Sequence, residues 1–189
     1  MKILPIFVKK NKQEGLFSIL LPNEIESELD KCLTQWMSTE YLFNFFTKNE
    51  GDLNNGYYGK NISISQAVSS TREEAFNLFE KLSALATSEA DEDKQTLSIA
   101  FQPLRDGNFT QKELQEEKAK TKVNLRCLRI YAIKISPNTY IVTGGSIKLV
   151  GEMDKRKHLK QEKQKLYEIR DFLIDNGIID QEDFEAYEI

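Results

Sequence analysis

Two short apolar blocks, 3–8 and 16–21, open the chain, separated by a polar segment ending in Gly15. That pattern predicts two strands joined by a loop. Pro22 and Asn23 stop the second strand. Asn23 then caps a helix whose first turn carries Glu24 and Glu26, where acids suit the helix dipole. Ile25, Leu29, Leu33, Trp36 and Met37 follow at helical spacing, and the dense block Tyr41, Leu42, Phe43, Phe45 and Phe46 predicts a second, core-anchoring helix. Residues 49–59 are a loop by their glycines and asparagines. Ser63 or Ser65 caps a further helix, clearest over 71–85, with Ala75, Phe76, Leu78, Phe79, Leu82 and Leu85 on one side. Residues 88–94 read as an acidic linker, 105–108 as a turn, and 110–122 as a solvated helix or a disordered insertion.

From 125 to 135 the sequence LRCLRIYAIKI is apolar and β-branched on both alternating sets, as a central strand is. A turn at 136–139 leads to a second strand, 140–143, then Gly144-Gly145, then an alternating stretch to Val150. Paired glycines within a strand mark a bulge, a bend or a close backbone approach. A basic stretch enters a helix that runs to about Asn176, with Leu166, Ile169, Phe172 and Leu173 as its buried stripe and Gly177 as its C′ residue. The tail after it, 178–189, is acidic and carries Phe184 and Tyr187 as a short docking helix.

The 189 residues have a net charge of −4, with 40% hydrophobic and 30% charged residues, as in a soluble globular chain. No run approaches the ~18 apolar residues of a membrane span, and the start lacks the pattern of a secretion signal. A cytoplasmic protein with no membrane association is the expectation. Two cysteines are too few for a disulfide framework or a cysteine zinc site. The charge is unevenly spread: 16 basic and 8 acidic residues lie between 105 and 170, whereas 171–189 hold 7 acids and no base. A basic segment between acidic flanks reads either as a polyanion-binding surface or as solvated helical faces. On the first reading the tail competes with RNA, and deleting 178–189 raises affinity.

Thr143–Lys148 does not have the GxxxxGK[ST] spacing of a phosphate loop. His158, the single histidine, sits in a cationic run and reads as a surface residue at a helix start. No metal or cofactor site is expected. What remains is Arg126, Arg129 and Tyr131 on the first strand of the hairpin, Lys148 on the second, and Lys155, Arg156 and Lys157 beyond it. Arg129 and Tyr131 share a strand face by period two, where an arginine can hold a phosphate and a tyrosine can stack on a base. The same pair also fits an amphipathic sheet edge.

Phe101-Gln102-Pro103-Leu104-Arg105-Asp106-Gly107 resembles a turn of the RelE/ParE toxin superfamily, in particular its HigB-like, phage-derived branch. Leu125–Tyr131, Tyr140–Thr143, Ser146–Leu149 and the basic entry to the last helix are similar, in order, to the strand, hairpin partner, lysine-ended strand and final helix of that family. The likeness covers about residues 97–173. The Arg129–Ile133 and Ile141–Leu149 stretches are also similar to a group of bacterial proteins with an RIYAI and TGG core.

The resemblance implies an α+β fold, helices on a small antiparallel sheet. It also implies cleavage of messenger RNA on the ribosome without metal, with an antitoxin protein as partner. Carried over by position, Arg126 and Arg129 match strand arginines and Lys148 a strand-end lysine, so that Arg129 and Lys148 are the catalytic cations and Arg126 supports them. Tyr131, which has no counterpart in the family, and Lys155, Arg156 and Lys157 are expected from the residues themselves to bind nucleic acid. The alternative is a non-catalytic protein-interaction module with the same fold. One domain is expected: an N-terminal part, 1–96, a toxin-like part, 97–177, and the acidic tail.

Overall fold

The computed structural model describes residues 1–9, 13–88, 97–103, 109–111 and 125–187. The expected acidic linker beyond Ser88, the turn at 105–108 and nearly all of the charged stretch 110–122 lie outside them.

The fold is α+β. The chain begins with a hairpin, β1 (Lys2–Val8) and β2 (Gly15–Leu20), and continues through α1 (Glu28–Met37), α2 (Thr39–Lys48), α3 (Glu50–Leu53) and α4 (Ile64–Thr87). Two short strands follow, β3 (Gln102–Pro103) and β4 (Phe109–Gln111), then the long hairpin β5 (Leu128–Ser136) and β6 (Thr139–Ile147). Helices α5 (Lys157–Asp175) and α6 (Gln181–Ala186) complete the described chain. All six strands form one sheet in the order β1-β2-β6-β5-β4-β3.

The sheet is not wholly antiparallel as expected. β2 runs parallel to β6, with Gly15 opposite Thr139 and Ser18 opposite Val142. Strands from residues 1–96 and 97–177 therefore share one sheet. A parallel pair needs a long crossover, and here the chain between β2 and β6 holds the helices α1 to α4 and the strands β3 to β5.

Alternation sorts the side chains. Leu16, Ile130 and Val142 face α1, α2 and α4 in one core, while Phe17, Tyr131 and Ile141 face α5 and α6 in the other. Covered on both faces, β5 and β6 read as nearly continuous apolar runs. Leu166, Ile169 and Leu173 of α5 are buried as predicted, with Phe172 packed at the margin.

One helix start differs from expectation, and one of the two expected caps of α4 is selected. Asn23 does not cap α1; it adopts a left-handed φ of 65°, a conformation asparagine tolerates in turns. The cap is Ser27, whose hydroxyl accepts from the Asp30 N–H. Ser18 fixes this position, accepting the Leu29 N–H at 3.0 Å. Ile25 is left 97% exposed as a result. In α4, Ser63 forms a full capping box with Gln66, so the helix begins a turn and more before the apolar stripe is obvious. Phe76, placed on the stripe by spacing, is exposed.

The end of α5 obeys its sequence signal. Gly177 has φ +72°, and its N–H donates to the Ile174 carbonyl while Ile178 N–H reaches Leu173. Those two bonds are a Schellman motif, closed by Ile178 and Leu173 in the same core. Gly177→Ala is expected to destabilise the protein by roughly 1–2 kcal/mol, the cost of a left-handed L-residue. Urea unfolding of the two proteins measures it; an unchanged midpoint would show that the motif carries no such constraint.

Candidate functional site

β5 enters the sheet beside the exit of β6. Leu128 stands opposite Ile147 and Arg129 opposite Ser146, and the Lys148 N–H donates to the Cys127 carbonyl at 2.7 Å. This register gathers Arg126, Arg129 and Lys148, the cations expected from sequence, at one end of the sheet. Lys148 lies just past β6 rather than within it.

The Arg129 side chain is folded inward. It is 8% exposed, as is Lys148. Its Nη1 donates to the Leu128 carbonyl at 2.8 Å and to the Arg126 carbonyl at 3.2 Å. Its Nε is buried and meets no hydrogen-bond partner among the described residues. A buried guanidinium donor without an acceptor is costly, and it is the most unusual polar group at this end of the sheet.

Glu74 of α4 reaches the same place. Its carboxylate accepts the Cys127 N–H at 3.0 Å and the Leu128 N–H at 3.2 Å. Two consecutive backbone N–H groups aimed at one anion make a small nest. Desolvation pushes the Glu74 carboxyl up to about 7, against the lowering pull of those amides, Arg129 and Arg126. By residue type Glu74 reads as a solvent-facing position of α4. The signal that it is not lies in its neighbours, since it is three residues after Thr71 and four before Leu78, both buried. Tyr58, from the loop before α4, closes the cluster by donating from its hydroxyl to the Lys148 carbonyl at 3.0 Å.

The remaining predicted residues do not join this cluster as free groups. Tyr131 shares a strand face with Arg129, but it is 1% exposed and its hydroxyl is paired with Ser146 at 2.8 Å. A ring enclosed by the core has no face for a base, so the stacking role expected for it is withdrawn. Arg156 is held by Asp52, with Nε–Oδ2 at 2.5 Å and a second contact from Nη2 to Oδ1. The guanidinium holds the Asp52 carboxyl below its ordinary range. Arg156 thus ties the start of α5 to α3. Lys155 and Lys157 are exposed, and Lys155 sits 3.1 Å from Glu152. His158 stands at the start of α5, as expected, and is half-buried there: Nε2 lies 3.1 Å from the Ile147 carbonyl and the ring packs edge-on against Phe45.

The described part of the acidic tail, 178–187, does not lie over the cations. Gln181 at the head of α6 donates to the Gln13 carbonyl at 3.0 Å, beside the β1–β2 turn. Gly15 pairs with Thr139, at the hairpin-turn end of β5 and β6, and Arg129 and Lys148 are at the other end. Competition between tail and RNA at that cluster has no geometric basis.

No helix among the described residues is long and apolar enough to cross a membrane. Comparison of the chain with protein-family models, with curated proteins and with solved structures finds no match.

Proposed function

We propose that this chain is a toxin-like protein that binds single-stranded RNA at the start of β5 and cleaves it without metal, with an antitoxin as its natural partner. One observation carries the reading: Arg129, beside Arg126 and Lys148, holds a buried guanidinium whose Nε has no acceptor among the described residues. A phosphate oxygen is the acceptor a guanidinium fits best. In the reaction the 2′-hydroxyl attacks the adjacent phosphorus and the 5′-oxygen leaves, giving a 2′,3′-cyclic phosphate and a 5′-hydroxyl. Negative charge grows on the phosphate oxygens at the transition state, and fixed cations there act on the barrier directly.

Arg129→Ala and Lys148→Ala, each confirmed to be folded, are expected to lower cleavage of messenger on translating ribosomes by about 10²–10³ per lost contact. The assay contains a chelator. Undiminished cleavage in both variants would remove these residues from the chemistry. The burial of Arg129 and Lys148 favours a second reading, a protein-interaction module that keeps the fold and does not cleave. A wild-type protein that neither cuts RNA nor arrests growth on induction decides for that reading.

A further inference from the structure

The nest at the start of β5 is already filled by an anion of the chain itself. Glu74 takes both amide donors of Cys127 and Leu128 and lies in the field of Arg126 and Arg129. These are the donors and charges that a phosphodiester would use. Resting on the reading that this end of the sheet binds RNA, we propose that Glu74 is an internal phosphate mimic that RNA must displace, so that the site is self-inhibited and opens as Glu74 leaves the β5 amides.

The geometry supports exchange over a fixed structural role. Glu74 lies in the field of the arginines, yet the Arg129 Nε has no acceptor among the described residues while Glu74 occupies the amides. A phosphate has more acceptor oxygens than a carboxylate and can serve both the amides and the guanidinium. The groups facing Glu74 are the Cys127 thiol at 3.9 Å, Arg126, Arg129 and the Tyr58 ring, with Thr71 beside it on α4. The thiol and the phenol are pushed upward by burial and stay neutral around neutral pH. Glu74 is therefore the member of this cluster whose charge changes there, with a carboxyl pushed up to about 7. Protonation weakens its hold on the amides and removes the negative charge that repels phosphate.

The test uses a 2′-O-methyl oligouridylate with a fluorescent end label, which lacks the attacking hydroxyl and cannot be cut. Its phosphodiesters do not titrate near neutrality. Binding is measured at low salt across neutral pH for the full chain and for Glu74→Gln. If the deprotonated carboxylate blocks the site, apparent affinity follows the open fraction and tightens about tenfold from about pH 8 to about pH 6. Glu74→Gln is expected to bind independently of pH, at the tighter level. His158 is intact in that variant, so a pH slope that persists in it overturns the proposal, as does a flat wild-type profile. In both cases RNA binding itself, and with it the functional reading, survives. If neither protein binds at any pH, the functional reading falls and takes this proposal with it.

Discussion

Lys165→Met is expected to destabilise the protein by about 3–5 kcal/mol, the cost of leaving buried charges without their partner. Lys165 of α5 lies between two carboxylates, Glu162 at 2.9 Å and Glu28 at the first turn of α1. Glu28 is 3% exposed and is also held by Lys31 at 2.8 Å. The cluster clips α1 to α5 where β2 no longer pairs with β6, since that ladder ends at Ser18 and Val142. Its space exists because Gly144 has no side chain: a Cβ there would sit on Glu162 Oε2 and Lys165 Nζ. Burial raises the Glu162 carboxyl above its ordinary value, while Lys165 pulls it down. Removing Lys165 leaves only the Gly145 N–H to oppose the raising cause. An acid whose folded pKa exceeds its unfolded one takes up its proton first in the folded state. The stability of Lys165→Met therefore recovers as pH falls from neutrality towards the ordinary carboxylate range. Adding Glu28→Gln and Glu162→Gln restores most of the loss at neutral pH. Urea unfolding at two pH values checks both statements; a loss under about 1 kcal/mol would mean the cluster is solvated enough to be dispensable.

That cluster shows how far the sequence carries. The local signals are dependable: both hairpins, the Ser63 cap, the Gly177 stop and the stripe of α5 follow from residues within a few positions of one another. Gly144 and Gly145 are legible as a disturbance in a strand. The bulge itself falls at Thr143, which is skipped where Tyr131 pairs with Gly144 and Ala132 with Val142. What the glycines make room for is not legible. A Cβ on Gly145 would lie 2.7 Å from Cys32 Sγ and 2.8 Å from the Trp36 ring, both more than a hundred residues away in the chain. The parallel β2–β6 pairing is hidden for the same reason.

Charge misleads for a different cause. Glu28, Glu74, Arg129, Lys148 and Lys165 look like surface residues by type, and composition counts them so. Their burial, full for Glu28, Arg129 and Lys148 and partial for Glu74 and Lys165, follows from tertiary partners: Lys165 for Glu28, two β5 amides for Glu74, backbone carbonyls for Arg129. The basic segment between 105 and 170 is thereby split. Arg156 and Lys165 are held in ion pairs, and Arg129 with Lys148 sits inside the sheet end. A candidate phosphate site built from Arg129 is consequently preorganised and narrow, rather than a broad cationic face.

Phe184→Ala is expected to destabilise the protein by about 3–5 kcal/mol, the range for an aromatic core truncation. The acidic composition of 171–189 suggests a solvated tail whose removal is harmless or helpful to RNA binding. The structure instead bears out the docking helix expected from Phe184. Asp180 caps α6, its carboxylate accepting the Asp183 N–H, and the helix turns Phe184 onto Phe17 of β2 with ring centroids 4.8 Å apart at 72°. Phe184 is 1% exposed, and Ile178 joins the same core through the Schellman turn. The tail is the lid of the second core, and its acids are the solvated side of that lid. For a chain of this length a loss of that size lowers the melting temperature by roughly 6–20 °C. Deleting 178–189 removes both Ile178 and Phe184 and is expected to leave a protein that aggregates or melts near ambient temperature, with no gain in RNA affinity. Glu182→Gln and Glu185→Gln, on the exposed side, are expected to stay within about 0.5 kcal/mol of wild type. Thermal melts of the three full-length variants and the deletion separate the alternatives. A deletion variant that keeps the wild-type melting temperature and binds RNA more tightly would restore the tail to the role its charge suggests.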